Sequence, residues 1–106
     1  MRVYLALTVD ELTRLVGGES FAPAEAFIAA SEDEEDELAA LEEAADHGAV
    51  AAAAEVADPD QAVELSHIES FHLDVDGTGD LAWYATQEAG AVLRAVKGAG
   101  PASATW

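Results

Sequence analysis

Cysteine is absent from this chain of 106 residues, and basic residues are scarce. Without cysteine the protein forms no disulfide bond, and it has no thiolate to act as a nucleophile or a metal ligand. Four Lys and Arg residues stand against 22 Asp and Glu residues, and none of the four lies between Leu15 and Leu93. Nucleic acids and anionic lipids are bound by cations that neutralise phosphate groups, so this composition excludes both as partners.

Long apolar runs are missing as well. No stretch approaches the roughly 20 consecutive apolar residues of a transmembrane helix, so we predict no membrane partner. The apolar start of the chain meets Asp10 and Glu11 too early for a secretory signal peptide, and we expect a cytoplasmic protein. The length and the 51% apolar content predict one domain over residues 1–97, followed by a flexible tail over residues 98–106.

Negative charge is abundant, with a formal net charge of −18 at pH 7. Eight of the acidic residues lie between Glu32 and Glu43. One interpretation is a surface that binds a basic protein; the other is an adaptation for solubility or salt, because net charge governs solubility and association and not the fold. The candidate partner-binding acidic face consists of Glu34, Glu35, Asp36, Glu37, Glu42 and Glu43.

Periodicity and capping signals divide the first half of the chain into four elements. Two predicted helices begin with Ser or Thr followed three residues later by Glu, which is the capping-box pattern. In the second helix, Leu38, Leu41 and Ala45 are predicted to form the buried stripe. The elements are a central strand with apolar residues on both faces (Arg2–Leu7), a helix opened by Thr8 and Glu11, a strand over Ala26–Ala30 and a helix from Ser31 to Gly48.

The second half contains signals of both helix and strand. Ala49–Val56 is predicted as a strand, although its alanines also favour a helix. The segment from Asp58 through Gln61 predicts the start of a short helix that ends near Leu65. The remaining elements are strands over His67–Val75 and Leu81–Thr86, a hairpin turn at Asp76–Gly79 and a helix over Ala89–Lys97.

This order of elements predicts an α+β fold. We expect a two-layer sandwich in which the helices lie on one face of a four- or five-stranded mixed sheet. The strand–helix–strand opening predicts that the first two strands are parallel and joined by a right-handed crossover.

One segment, Phe71–Thr78, places an apolar strand before Asp-x-Asp-Gly-Thr. It resembles the first motif of haloacid-dehalogenase-type phosphatases, which implies Asp74 as nucleophile and Asp76 as acid/base beside a magnesium ion. A hairpin turn accounts for the same residues, and only 30 residues, with Lys97 as the sole lysine of the chain, follow Asp76. A metal-dependent phosphohydrolase is therefore the alternative interpretation, and we predict no metal site.

The other chemistry-bearing residues form no catalytic motif. His47, His67 and His72 lack the spacing of a metal-binding pair, and the chain has no Gly-x-Ser-x-Gly segment. Trp83 and Tyr84 are expected in the core or in half-buried surface. We therefore predict that the protein is not an enzyme, binds no cofactor and docks on a basic protein.

Four segments carry a resemblance that spans most of the chain. They are Met1–Leu5, the acidic helix Glu34–Leu41, the strand Phe71–Asp74 and the segment Leu81–Glu88 with its Trp-Tyr-Ala-Thr-Gln-Glu string. Together they resemble a small uncharacterised family of actinobacterial proteins that open with Met-Arg-Val-Tyr. The resemblance implies a domain of unknown function and transfers no catalytic residue to this chain.

Overall fold

The computed structural model describes residues 1–58, 60–74 and 81–99, and their helices and strands confirm the α+β class. Ala49–Val56 contains a strand, as predicted. Two 3-10 turns, Leu65–His67 and Thr86–Glu88, precede the fourth strand and the last helix. The strands are β1 (Arg2–Leu7), β2 (Ala26–Phe27), β3 (Val50–Glu55), β4 (Ile68–Leu73) and β5 (Ala82–Ala85); the helices are α1 (Val9–Val16), α2 (Glu34–His47) and α3 (Ala89–Ala99).

The described strands form a five-stranded sheet in the order β2-β1-β3-β4-β5, and every neighbouring pair is antiparallel. The predictions of a mixed sheet and of parallel first strands were therefore wrong. The eight residues of α1 cover about 12 Å, whereas the six of β1 cover about 20 Å, so the helix alone does not return the chain to the start of β1. The chain therefore enters β2 beside the C-terminal half of β1 and runs antiparallel to it, which places Phe27 against Tyr4.

Helices cover both faces of the sheet, which corrects the prediction of helices on one face. One core joins Val3, Leu5 and Leu7 of β1 to Phe71 of β4 and to buried residues of α1 and α3. A second core lies on the opposite face and consists of residues from β1, β3 and α2, namely Tyr4, Ala6, Ala40, Ala44, Ala51 and Ala53. The physical reason is that β1 and β3 are buried on both faces, as the alternation in β1 predicts, so each face needs its own cover.

Helix α2 packs on the sheet through alanine. Its buried residues are Ala40 and Ala44, whereas the predicted stripe member Leu38 is 54% exposed and Leu41 is half-buried. Small side chains on both partners let the helix approach the alanines of β3, which leucines would prevent. Two members of the predicted stripe, Leu41 and Ala45, are partly buried and pack against this second core, whereas Leu38 is exposed. Leu38 and Leu41 also line an open groove.

The structure also corrects several element boundaries. Helix α2 begins at Glu34 without a side-chain cap, because Ser31 bonds to Asp36 and to the N–H of Asp33. The Gln61 side chain accepts the N–H groups of Ala57 and Asp58, as the predicted start signal implies for Asp58. The described residues 60–64 nevertheless form a turn and a bridge from Val63 to Phe21 instead of the predicted short helix. Strand β2 ends at Phe27, β4 begins after His67, and α3 extends to Ala99. The predicted turn at residues 76–79 and the tail from residue 100 lie outside the described residues.

No helix in the described ranges has the length and apolar character needed to cross a bilayer.

Candidate functional site

The predicted acidic face divides into two sets of side chains on α2. Glu34, Glu35, Glu42 and Glu43 are exposed, and within the described residues none of the four forms an ion pair. The first four residues of the helix are all acidic, and their negative charge is favourable at the positive end of the helix dipole. The outward surface of α2 therefore carries carboxylates that no cation in the described part of the chain neutralises.

The other two predicted residues, Asp36 and Glu37, are half-buried and hold local structure. Asp36 Oδ2 accepts a hydrogen bond from Ser31 Oγ, with 2.5 Å between the two oxygens. Glu37 accepts a hydrogen bond from the Tyr4 hydroxyl at 3.1 Å and one from Arg2 Nη1 at 3.4 Å. Within the predicted face, Asp36 and Glu37 therefore differ from the other four acids, because they already accept hydrogen bonds from groups of the same chain.

A groove lies next to the N-terminal half of α2, where the helix covers β1 and β3 but leaves β4 and β5 open. Its cavity volume is about 380 Å³. Trp83 and Leu38 line it and are 64% and 54% exposed, so it has a large apolar component. Glu37 and Glu69 add carboxylates, and both contact Arg2. The remaining lining residues are Tyr4, Leu41, Ala53, Ser70 and His72.

A register shift in the sheet places Glu69 at this groove. Ala53 pairs with Ser70, but the adjacent Ala54 pairs with Ile68, so Glu69 is the extra residue of a β-bulge. Ile68 thereby joins the first core, and the Glu69 carboxylate accepts a hydrogen bond from Arg2 Nε at 2.9 Å. Bulges commonly redirect side chains in this way near functional sites.

Burial controls the charge of two groups in the groove. Burial raises the pKa of Tyr4; Arg2 opposes the rise and Glu37 supports it, so the phenol stays protonated and donates to Glu37. Burial lowers the pKa of His72 below its ordinary 6.5, so its imidazole is neutral at pH 7. His72 Nε2 lies 2.8 Å from Ser70 Oγ, which satisfies the hydroxyl of a buried residue.

The two acids of the phosphatase interpretation are only partly described. Asp74 is exposed and follows β4, and Asp76 lies outside the described residues. Among the described side chains, no group of three or more His, Asp and Glu residues is placed to hold a metal ion.

The sequence patterns do not mark four residues of the groove as site residues, namely Arg2, Glu69, His72 and Trp83. Trp83 was expected in the core or half-buried, but it lies opposite His72 on the open face of the sheet. The alternation of His72 with Phe71 and Leu73 was a usable signal, because it places His72 on the face opposite the first core. Nothing local indicates the Arg2–Glu69 pair, whose members are 67 residues apart.

Comparison with family models, with curated proteins and with solved structures found no match to this chain.

Proposed function

We propose that this chain is a non-catalytic, cytoplasmic interaction module that docks on a basic protein surface. The observation that carries the proposal is an exposed apolar strip, Leu38 and Trp83, next to carboxylates of α2 that lack ion pairs among the described residues. An apolar patch rimmed by charge is the usual composition of a protein-binding surface. We also propose that the chain belongs to the uncharacterised actinobacterial family that it resembles, which implies no activity.

Charge defines the partner. With a net charge of −18, the chain repels anionic surfaces and copies of itself, and it attracts cationic ones. Long-range attraction raises the association rate, and the effect fades as the Debye length falls from about 8 Å at 0.15 M salt to about 3 Å at 1 M.

The test compares two variants that each lose four negative charges. The first replaces Glu34, Glu35, Glu42 and Glu43 by Gln, and it spares Asp36 and Glu37 because those residues hold local structure. The control neutralises four exposed acids outside α2, namely Asp10, Glu19, Glu25 and Asp60. The immobilised chain is used to capture partners from lysate of the native host at low and at high salt.

We expect a partner that is retained at low salt, released at high salt, lost by the α2 variant and kept by the control. Equal losses in the two variants would mean that net charge alone drives association. Absence of any salt-sensitive partner would leave adaptation for solubility or salt as the explanation of the acidic composition.

A further inference from the structure

The groove beside α2 already contains a guanidinium group, that of Arg2. We propose that the groove is a receptor for an arginine side chain of the basic partner, and that Arg2 occupies it as an internal competitor until the partner arrives. This inference rests on the proposed function and specifies its recognition chemistry.

The first argument is the geometry around Arg2. Glu69 from β4 binds its Nε at 2.9 Å and Glu37 from α2 binds its Nη1 at 3.4 Å, so carboxylates from two elements converge on one guanidinium. A guanidinium offers several donors in one plane and fits such a pair of acceptors, whereas an ammonium is a compact point charge. The Arg2 side chain is 46% exposed and the Glu37 contact is long, so it can leave without unfolding of the sheet.

The second argument is the aromatic wall. Trp83 is 64% exposed in the same cavity. Arginine stacks on aromatic faces more often than lysine does, and tryptophan is the best such partner. Leu38 and Leu41 of α2 provide apolar surface for the methylene groups of a bound side chain.

The third argument is charge, which selects the occupant. A second copy of the chain would bring another −18 to the contact, and an anionic ligand would face Glu37 and Glu69. A cationic segment of a protein is the occupant that complements both the carboxylates and the aromatic wall.

The probes are a peptide of alternating arginine and glycine and its lysine–glycine counterpart, titrated by fluorescence polarisation. Trp106→Phe serves as the background in a second titration, so that the tryptophan emission reports Trp83 alone. We expect the arginine peptide to bind more tightly than the lysine peptide and to change that emission.

Loss of the aromatic face in Trp83→Leu should weaken binding of the arginine peptide by about twofold to fivefold, the range of an exposed cation–π contact. Glu69→Gln should also weaken it, whereas Glu25→Gln, which removes the same charge at an exposed site on the far edge of the sheet, should not.

Removal of the internal competitor, Arg2, should raise the affinity for the arginine peptide instead of lowering it. Arg2→Gln should tighten binding of the arginine peptide, and it should do so more than Arg14→Gln, which removes the same charge from α1 on the other face. This gain has the opposite sign to the loss expected when the groove is disrupted, so the variant tests the inference even if a loss variant is unstable.

Equal effects of the two arginine variants, or equal binding of the two peptides, would overturn the inference. If binding disappears in the four-residue α2 variant but is unaffected by Trp83→Leu and Glu69→Gln, the proposed function stands and the groove is not the receptor. If the wild-type chain binds neither peptide at low salt, both proposals fail.

Discussion

Gly48 links α2 to β3 at a point where the chain passes very close to β1. A Cβ at this position would lie 2.7 Å from the backbone nitrogen of Leu7, 2.8 Å from the carbonyl carbon of Ala6 and 2.9 Å from the carbonyl oxygen of Leu7. Its φ of −137° and ψ of 172° are ordinary extended values, so glycine is required here for space and not for conformation. The adjacent N–H of Ala49 donates to Leu7 at 2.8 Å, which holds the two segments together.

Gly48→Ala should therefore destabilise the protein strongly. The obstructing atoms are backbone atoms of a central strand, which no rotamer change can move, and β1 contributes to both cores. Overpacking costs about 1 to 3 kcal/mol, and we expect the upper end, about 3 kcal/mol. For a domain of this size that corresponds to a fall in Tm of roughly 12 to 24 °C.

Gly90→Ala is the matched control because it makes the same chemical change inside α3. The nearest atom to its added Cβ is Arg94 Nη1 at 3.6 Å, an ordinary contact. Alanine in a helix should stabilise the protein by about 0.5 to 1 kcal/mol relative to glycine. Urea unfolding, with the midpoint and the slope fitted separately, measures both variants. A Gly48→Ala protein within about 0.5 kcal/mol of wild type, the usual range of surface substitutions, would refute the close approach of Gly48 to β1.

Three further perturbations test the cores, the first helix cap and the groove. Phe71→Ala should lower the free energy of unfolding by about 3 to 5 kcal/mol because Phe71 is fully buried, whereas Trp83→Ala should change it by less than about 0.5 kcal/mol; equal losses in urea unfolding would contradict the exposed position of Trp83. Thr8→Ala removes the hydroxyl that accepts the N–H of Glu11 at 3.0 Å and should cost about 1 kcal/mol in the same assay; no loss would argue against the capping box. The lowered pKa of His72 means that the unfolded chain binds its proton more readily, so stability is lost as pH falls from the unfolded value of 6.5 towards the lower folded value. His72→Gln should remove this part of the pH dependence in unfolding measured from pH 7.5 downwards, and an unchanged pH profile would show that His72 is not desolvated.

The features that were correctly predicted from the sequence depend on patterns of only a few residues. Thr8 and Glu11 satisfy each other's backbone N–H groups as the capping box predicts, and the alternation in Arg2–Leu7 places successive residues in opposite cores. The hairpin pairing of β4 with β5 is likewise confirmed. These features depend on bonds between near neighbours or on the period of one strand, so the local sequence contains the information.

Tertiary structure decided what depends on residues far apart in the chain. Strand direction followed from the path between α1 and β2, and the burial of Ala40 and Ala44 instead of Leu38 followed from how closely α2 approaches the alanines of β3. The groove arises because α2 leaves β4 and β5 uncovered and because a bulge turns Glu69 towards Arg2. Composition by itself determined the negative charge of the molecule, but only the folded chain places carboxylates from α2 and β4 on one guanidinium, because no local pattern records which distant elements will meet.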